Sequence, residues 1–458
     1  MSAVVDQDRL GEAQARLPLL AVEDLARTFA WDQGREISAA EFLADVFALA
    51  ERLPEARYAL NLCEQRYDFV VAFCAAIVAG QTNLLPASRA PQAIDDVLAS
   101  YPDSYALGDA HPSLPAQLRY VHVPDAIGLE GSAVFCNPSI PLGRTVAIGF
   151  TSGSSGAPKA NLKTWGSFCA SSALNVDALM RLAPAPQILA TVPPQHMYGL
   201  ELSVLLPLRS RAAIQASQPL FPADISAALA ALPEPRVLVT TPFHLRTLLE
   251  SGVALAPLAA IVTATAPLSA EVAAEAETRF ATVVLELFGS TETCVIAQRR
   301  TALDDAWSLY AGIEAHPQPD GTLVSAPHFG EPTLLQDIVE LLPQRRFRLR
   351  GRNSDLLEIA GKRASLADLN KRLLAVPGVI DGVIFQLDGD AGEAGVRRLA
   401  ALVVAPGCSE AQVLGALREA IDPVFLPRPL RMVDALPRNA TSKLPRSALL
   451  AALGKCSG

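Results

Sequence analysis

The sequence lacks most of the features that settle a protein's class early. Its seven cysteines, Cys63, Cys74, Cys136, Cys169, Cys294, Cys408 and Cys456, are odd in number and include no C-x-x-C pair, which argues against a disulfide framework or a cysteine zinc site. None of the six histidines forms an H-x-x-x-H pair. Basic residues are in deficit, with 38 Lys plus Arg against 47 Asp plus Glu and a formal charge of −9, so non-specific binding to nucleic acid or anionic membrane is disfavoured. No apolar run approaches the roughly 20 residues of a membrane span. The longest, Phe69–Gly80, is broken by small residues and predicts a buried helix. The start, with Asp6, Asp8 and Glu12, has neither the basic stretch nor the apolar segment of a secretory signal, and a cytoplasmic location is expected. A G-x-x-x-x-G-K-[ST] loop, a G-x-G-x-x-G fingerprint and any repeat of about 20–50 residues are also missing.

What is present is a chain of 458 residues, 50% hydrophobic and 19% charged, with material for two or three domains of about 100–200 residues each. Short aliphatic runs at Tyr58–Leu62, Thr82–Leu85, Val146–Phe150, Ile188–Val192, Val237–Thr240, Ala260–Thr263 and Val283–Phe288 read as buried strands. Between them, Ala39–Leu53 and Ala270–Phe280 carry apolar residues at three- and four-residue spacing, as helices covering a sheet do. The alternation predicts an α/β protein with layered, mostly parallel sheets. A change of style follows the basic stretch Arg345, Arg346, Phe347, Arg348, Leu349 and Arg350. Beyond it, Ser365 with Asp368 and Ser409 with Gln412 open two helices around a strand at Leu399–Val404. The boundary is expected at about Arg352–Asp355, dividing a large N-terminal domain, 1–353, from a small mobile C-terminal α+β domain, 354–458.

The stretch Thr151-Ser152-Gly153-Ser154-Ser155-Gly156-Ala157-Pro158-Lys159 follows a predicted strand directly. Glycines there let N–H groups converge, hydroxyls add donors and a lysine adds charge, which suits polyphosphate. By composition alone a flexible Ser/Gly linker is about equally compatible.

This loop resembles the phosphate loop of the adenylate-forming superfamily of acyl-CoA synthetases, peptide-synthetase adenylation domains and luciferases, and further similarities follow in the family's order. Phe288-Gly289-Ser290-Thr291-Glu292-Thr293 is similar to the aromatic-Gly-x-Thr-Glu segment. That resemblance implies Phe288 stacking on adenine beside Gly289, Thr291 touching phosphate and Glu292 holding Mg²⁺. Asp337 resembles the aspartate that grips the ribose hydroxyls, and Gly351-Arg352 its Gly-Arg partner. Asp355 to Lys362 resembles the loop lining the thiol tunnel, with Gly361 the position carried over and Ser354 at the hinge. Leu436-Pro437-Arg438-Asn439-Ala440-Thr441-Ser442-Lys443-Leu444 is similar to the segment bearing the adenylation lysine, which implies that Lys443 is catalytic together with Thr291 and Glu292. Taken singly, Glu292, Asp337 and Lys443 would read as solvated charges.

The resemblance runs from about Ile37 to Leu450. It implies a ligase using ATP and Mg²⁺ to adenylate a carboxylic acid and pass it to a thiol, either coenzyme A or the phosphopantetheine of an acyl carrier protein. Pro194-Gln195-His196-Met197-Tyr198-Gly199 resembles the family's pocket segment, with His196 gating or lining the acid site, although a satisfied core histidine fits equally. Thr263-Ala264-Thr265-Ala266-Pro267 resembles the segment between adenine and acyl group, and Thr265 stands where glycine is frequent. A side chain there shortens the cavity, favouring a compact, aromatic acid. The pattern resembles hydroxybenzoate ligases of aryl-polyene and xanthomonadin-type pigment pathways. Arg397, Arg398, Arg428 and Arg431 could face an acidic carrier protein or the phosphates of coenzyme A, although taken singly each reads as an ordinary surface charge. Phe288, Gln336, Ser354 and Ser442 depart from the commoner residues at their positions, which leaves as alternative a non-catalytic relative that binds AMP or an acyl-adenylate.

Overall fold

The computed structural model describes residues 15–86, 89–110, 114, 117–127, 136–152, 158–318, 321–352, 356–359, 362–387, 399–439 and 443–455. The chain forms two compact units, one of Met1–Ile313 with Ala326–Glu331 and one of Glu314–Ser325 with Pro332–Gly458. The expected division at 353/354 and the hinge residue Ser354 lie outside the described residues.

Among the described residues the first unit contains two large sheets and a two-stranded one, Arg16–Pro18 with Ser139–Pro141. In one, the strands run in the order Pro158–Thr164, Thr145–Ser152, Thr82–Leu85, Tyr58–Asn61, Ser104–Gly108, Tyr120–His122. All neighbours are parallel except Pro158–Thr164, which returns antiparallel beside Thr145–Ser152. In the other, Thr28–Asp32, Ala213–Gln215, Gln187–Ala190, Arg236–Thr240, Ala260–Thr263 and Val283–Ser290 lie parallel, and Cys294–Arg299 turns back antiparallel on the last of them. The α/β class and all seven strands read from the sequence are present.

Local chemistry sets the helices. Ser38 opens the Ala39–Ala50 helix with a capping box closed by Glu41, and Phe42, Leu43, Val46 and Leu49 bury one face at the expected spacing. Phe42 stacks on Phe29 of the adjacent strand at 3.8 Å. The run around Phe69 forms a helix, Arg66–Val78, that is buried from Phe69 through Ile77, which accounts for its apolar residues on every side. The Trp165–Met180 helix begins at a Thr164–Ser167 capping box and carries the buried polar residues Ser171 and Asn175.

The second unit is α+β. A sheet of Asp381–Gln386, Leu399–Val404 and Leu430–Met432 packs Ile384, Leu399, Ala401 and Leu430 against Leu369 and Leu373 of one helix and Val413 and Leu417 of another. Ser409 and Gln412 form the capping box their spacing predicts. The basic stretch 345–350 lies in a hairpin of Asp337–Leu342 with Arg346–Arg352. Among the described residues no helix is long and apolar enough to cross a membrane.

Candidate functional site

Parallel strands open their ligand crevices at their carboxyl ends, and several of the sequence's candidates stand there. Thr151 closes the Thr145–Ser152 strand, and its neighbour across the hairpin is Lys159, whose side chain is exposed. Asn161 Nδ2 ties the two strands together by donating to the carbonyls of Gly149 and Lys159 and to Thr151 Oγ1 at 3.2–3.4 Å. Ser152 is described as the strand's last residue, while Gly153, Ser154, Ser155 and Gly156 lie outside the described residues.

The second arm is the end of the Val283–Ser290 strand. Phe288 is half-buried with its ring 5.3 Å from that of Trp307. A β-bulge follows at Phe288/Gly289, and a Cβ on Gly289 would stand 2.2 Å from the Cys294 carbonyl oxygen, so only glycine fits. The next turn is closed locally by Ser290, which accepts from the Thr293 N–H at 3.2 Å. It places Thr291 and Glu292, both half-buried, beside the first arm. The Thr151 hydroxyl donates to Glu292 Oε1 at 3.4 Å, and a Cβ on Gly149 would come within 2.9 Å of the Thr291 methyl.

Two further ionisable residues meet this turn without having been singled out in the sequence. Lys163 is buried and donates from Nζ to the Glu292 carbonyl at 2.6 Å. Glu201 is fully buried; it accepts from Ser171 Oγ at 2.6 Å, Asn175 Nδ2 at 3.0 Å and the Val295 N–H at 2.9 Å. Burial pushes its carboxyl up to about 7, opposed by those hydrogen bonds and by the charge of Lys163. The available signal was an acid inside the apolar run Leu200–Leu208.

The proposed acid segment lies along the same strand ends. His196 is half-buried at the cap of the short Met197–Leu200 helix, its carbonyl accepting from the Leu200 N–H at 2.7 Å. A Cβ on Gly199 would stand 2.1 Å from the Pro193 carbonyl oxygen. Tyr198 is buried with its hydroxyl donating to the carbonyls of Val262 at 2.8 Å and Thr240 at 3.2 Å, so it joins strand ends together. Next to it Thr191 Oγ1 lies 2.9 Å from both Thr240 Oγ1 and His244 Nδ1, a polar group unmarked by any sequence pattern. Burial lowers the His244 pKa, favouring the neutral ring. Thr265 is exposed in the left-handed region at φ +82°, and Ala266 beside it is half-buried.

In the second unit, Asp337 is paired in register with Arg352, and its carbonyl accepts from Thr322 Oγ1 at 2.6 Å. Lys443 is exposed; its N–H donates to Asn439 Oδ1 at 2.9 Å, and its carbonyl accepts from the Asn439 N–H at 2.8 Å. Arg438, in the same segment, holds Asp381 with both oxygens at 2.8–2.9 Å. Arg431 pairs with Glu410 at 3.8 Å. Gly361, Arg397 and Arg398 lie outside the described residues.

Among the described residues no cluster of three or more His, Cys, Asp or Glu side chains could hold a metal. One carboxylate beside hydroxyls, as at Glu292 with Thr151, is the donor set of a Mg²⁺ that takes its other ligands from phosphate and water. Open clefts of about 470 Å³, by Cys169 and Arg209, and about 720 Å³, by Arg57 and Arg144, are lined by none of the candidate residues.

Residues 22–333 match the family model described as AMP-binding enzyme. A stretch of 264 residues is 30% identical to the 4-coumarate–CoA ligase of Cereibacter sphaeroides, covering 56% of this chain and 60% of that one. Another of 118 residues is 36% identical to the isonitrile lipopeptide synthase of Streptomyces coeruleorubidus, covering 25% of this chain and 8% of that protein. The chain therefore matches less than two thirds of the length of either relative. O-succinylbenzoate coenzyme A synthetase from Bacillus subtilis, solved in complex with ATP and magnesium ion, superposes with a TM-score of 0.80 at 18% identity over 94% of this chain and 99% of that one, a likeness of fold.

Proposed function

This chain belongs to the AMP-binding enzyme family, and we propose that it is an ATP-dependent ligase joining a compact, aromatic carboxylic acid of the hydroxybenzoate type to a thiol. The observation that carries this reading is the meeting of Thr151, Thr291 and Glu292 at the ends of two strands from separate sheets, where the residue types suit a nucleotide's phosphates.

The chemistry sets the demand. A carboxylate approaching the α-phosphate of ATP meets repulsion of roughly 4 kcal/mol per charge pair at 4 Å and an effective dielectric near 20. Mg²⁺, when bound, offsets phosphate charge. We assign Glu292 to hold that ion, Thr151 and Thr291 to bond phosphate oxygens, and Lys159 and the loop Ser152–Gly156 to cradle the polyphosphate. Phe288 and Gly289 face the adenine, Asp337 and Arg352 the ribose, and Lys443 supplies the charge for adenylation. His196, Tyr198, Gly199, Thr265 and Ala266 shape the acid site. A domain break at 353/354, a hinge at Ser354 and a thiol tunnel at Gly361 complete the assignment. The named 4-coumarate–CoA ligase relative supports an aromatic acid and coenzyme A as acceptor. An acyl carrier protein meeting Arg428 and Arg431, a pigment pathway and a cytoplasmic site remain part of the proposal.

The test is pyrophosphate release with benzoates, cinnamates and short aliphatic acids, followed by thioester formation with coenzyme A and with a pantetheinylated carrier protein. The reading requires release with at least one aromatic acid and thioester formation with one acceptor. ATP binding without release for any acid would favour the non-catalytic alternative.

A further inference from the structure

Lys163 and Glu201 are buried ionisable residues to which the assignment above gives no task. We propose that they are positioning residues that hold the Thr291–Thr293 turn near its two ends, one at the Glu292 carbonyl and one at Val295 of the strand that follows, and thereby set where Thr291 and Glu292 stand. The inference rests on the ligase reading of that turn.

Lys163 comes from the strand that leaves the Ser/Gly loop and holds the carbonyl of Glu292 at 2.6 Å. Glu201 comes from the π-helical segment Glu201–Leu205 that continues the His196 segment, and it holds the Val295 N–H at 2.9 Å. The turn's own side-chain ties, Ser290 with Thr293 and Thr293 with the Cys294 carbonyl, hold neither the Glu292 carbonyl nor the Val295 N–H. The far side of Glu201 is fixed by Ser171 and Asn175 on the Trp165–Met180 helix, and the Tyr310 hydroxyl donates to Asn175 Oδ1 at 3.3 Å. An apolar pair of similar volume commonly gives equal or greater stability than buried ions, so an acid and a lysine placed here serve geometry better than they serve stability. Glu201 also stands two positions after Gly199, so the clamp joins the segment assigned to the acid to the turn assigned to nucleotide and Mg²⁺.

The test compares wild type with Lys163→Met, Lys163→Arg and Glu201→Gln. ATP binding is titrated with Mg²⁺ by calorimetry without acid, and pyrophosphate kinetics and thermal midpoints are recorded for the same proteins. Loss of a hydrogen bond from a charged donor predicts a rise of about tenfold in half-saturating Mg²⁺ for Lys163→Met. Displacement of the turn predicts a kcat lower by up to about 100-fold, with KM for the acid unchanged. Lys163→Arg should recover most of both losses, and Glu201→Gln should shift the Mg²⁺ requirement in the same direction at constant volume. Lower melting with an unaltered Mg²⁺ requirement would make the pair merely structural and overturn the proposal. If Lys163→Met does not fold, Glu201→Gln decides. A wild type that binds Mg·ATP yet releases no pyrophosphate defeats the ligase reading alone, because the binding titration still judges the clamp.

Discussion

Thr151 Oγ1 lies 3.4 Å from Glu292 Oε1, joining the end of the Thr145–Ser152 strand to a turn 141 residues later in the chain. The contact brings two separately recognised segments to one place. It predicts that Glu292→Gln, which keeps the side chain's size and removes its charge, lowers Mg²⁺-dependent pyrophosphate release by about 100-fold while leaving the melting temperature nearly unchanged. Steady-state kinetics across a Mg²⁺ series checks it, and a variant with wild-type Mg²⁺ dependence removes Glu292 from the metal's ligands.

Thr265 adopts φ +82°, a conformation costly for a β-branched side chain. Replacing it by glycine relieves about 1 kcal/mol of strain, partly offset by the greater freedom of glycine in the unfolded chain. Thr265→Gly should therefore melt no lower than wild type and should accept longer acids. A clear fall in melting temperature would show that the threonine side chain anchors the segment.

Much of this was legible in the sequence because it was local. Val283–Phe288 showed itself as an apolar run, and the strand extends only to Ser290. Phe69–Gly80, too short for a membrane span and broken by small residues, predicts a buried helix, and the helix is buried from Phe69 through Ile77. Pro158–Thr164 escaped notice because its composition, PKANLKT, is polar, and the strand is secured by pairing with Thr145–Ser152. Lys163, Glu201 and the Thr191–Thr240–His244 group escaped for a related reason. Their partners are 26 to 129 residues away in sequence, so only the packed fold shows the contact. Tyr198 lies in the segment that resembles the acid pocket, and only the packed fold shows its hydroxyl bonded to the carbonyls of two strand ends.

Asp68 offers a pH dependence with a definite sign. Burial first, then the charges of Asp109, Asp32 and Asp45, raises its carboxyl from 3.8 to about 7. The folded state thus holds a proton that the unfolded chain has released, so this group makes stability fall as pH rises from about 4 to about 7, with no further change above. Asp68→Asn removes that loss and should stabilise the protein by roughly 1–3 kcal/mol at pH 8 while doing little at pH 4. Denaturant melts at the two pH values decide it, and equal effects at both would show that Asp68 ionises normally.

The central claim, that this chain adenylates an acid, is tested most directly by single-turnover pyrophosphate release from Mg·ATP, with and without an aromatic acid, in wild type and Lys443→Ala. Release should require the acid and fall by about 100-fold or more in the variant. Equal release with and without acid, or undiminished acid-dependent release from Lys443→Ala, would contradict it.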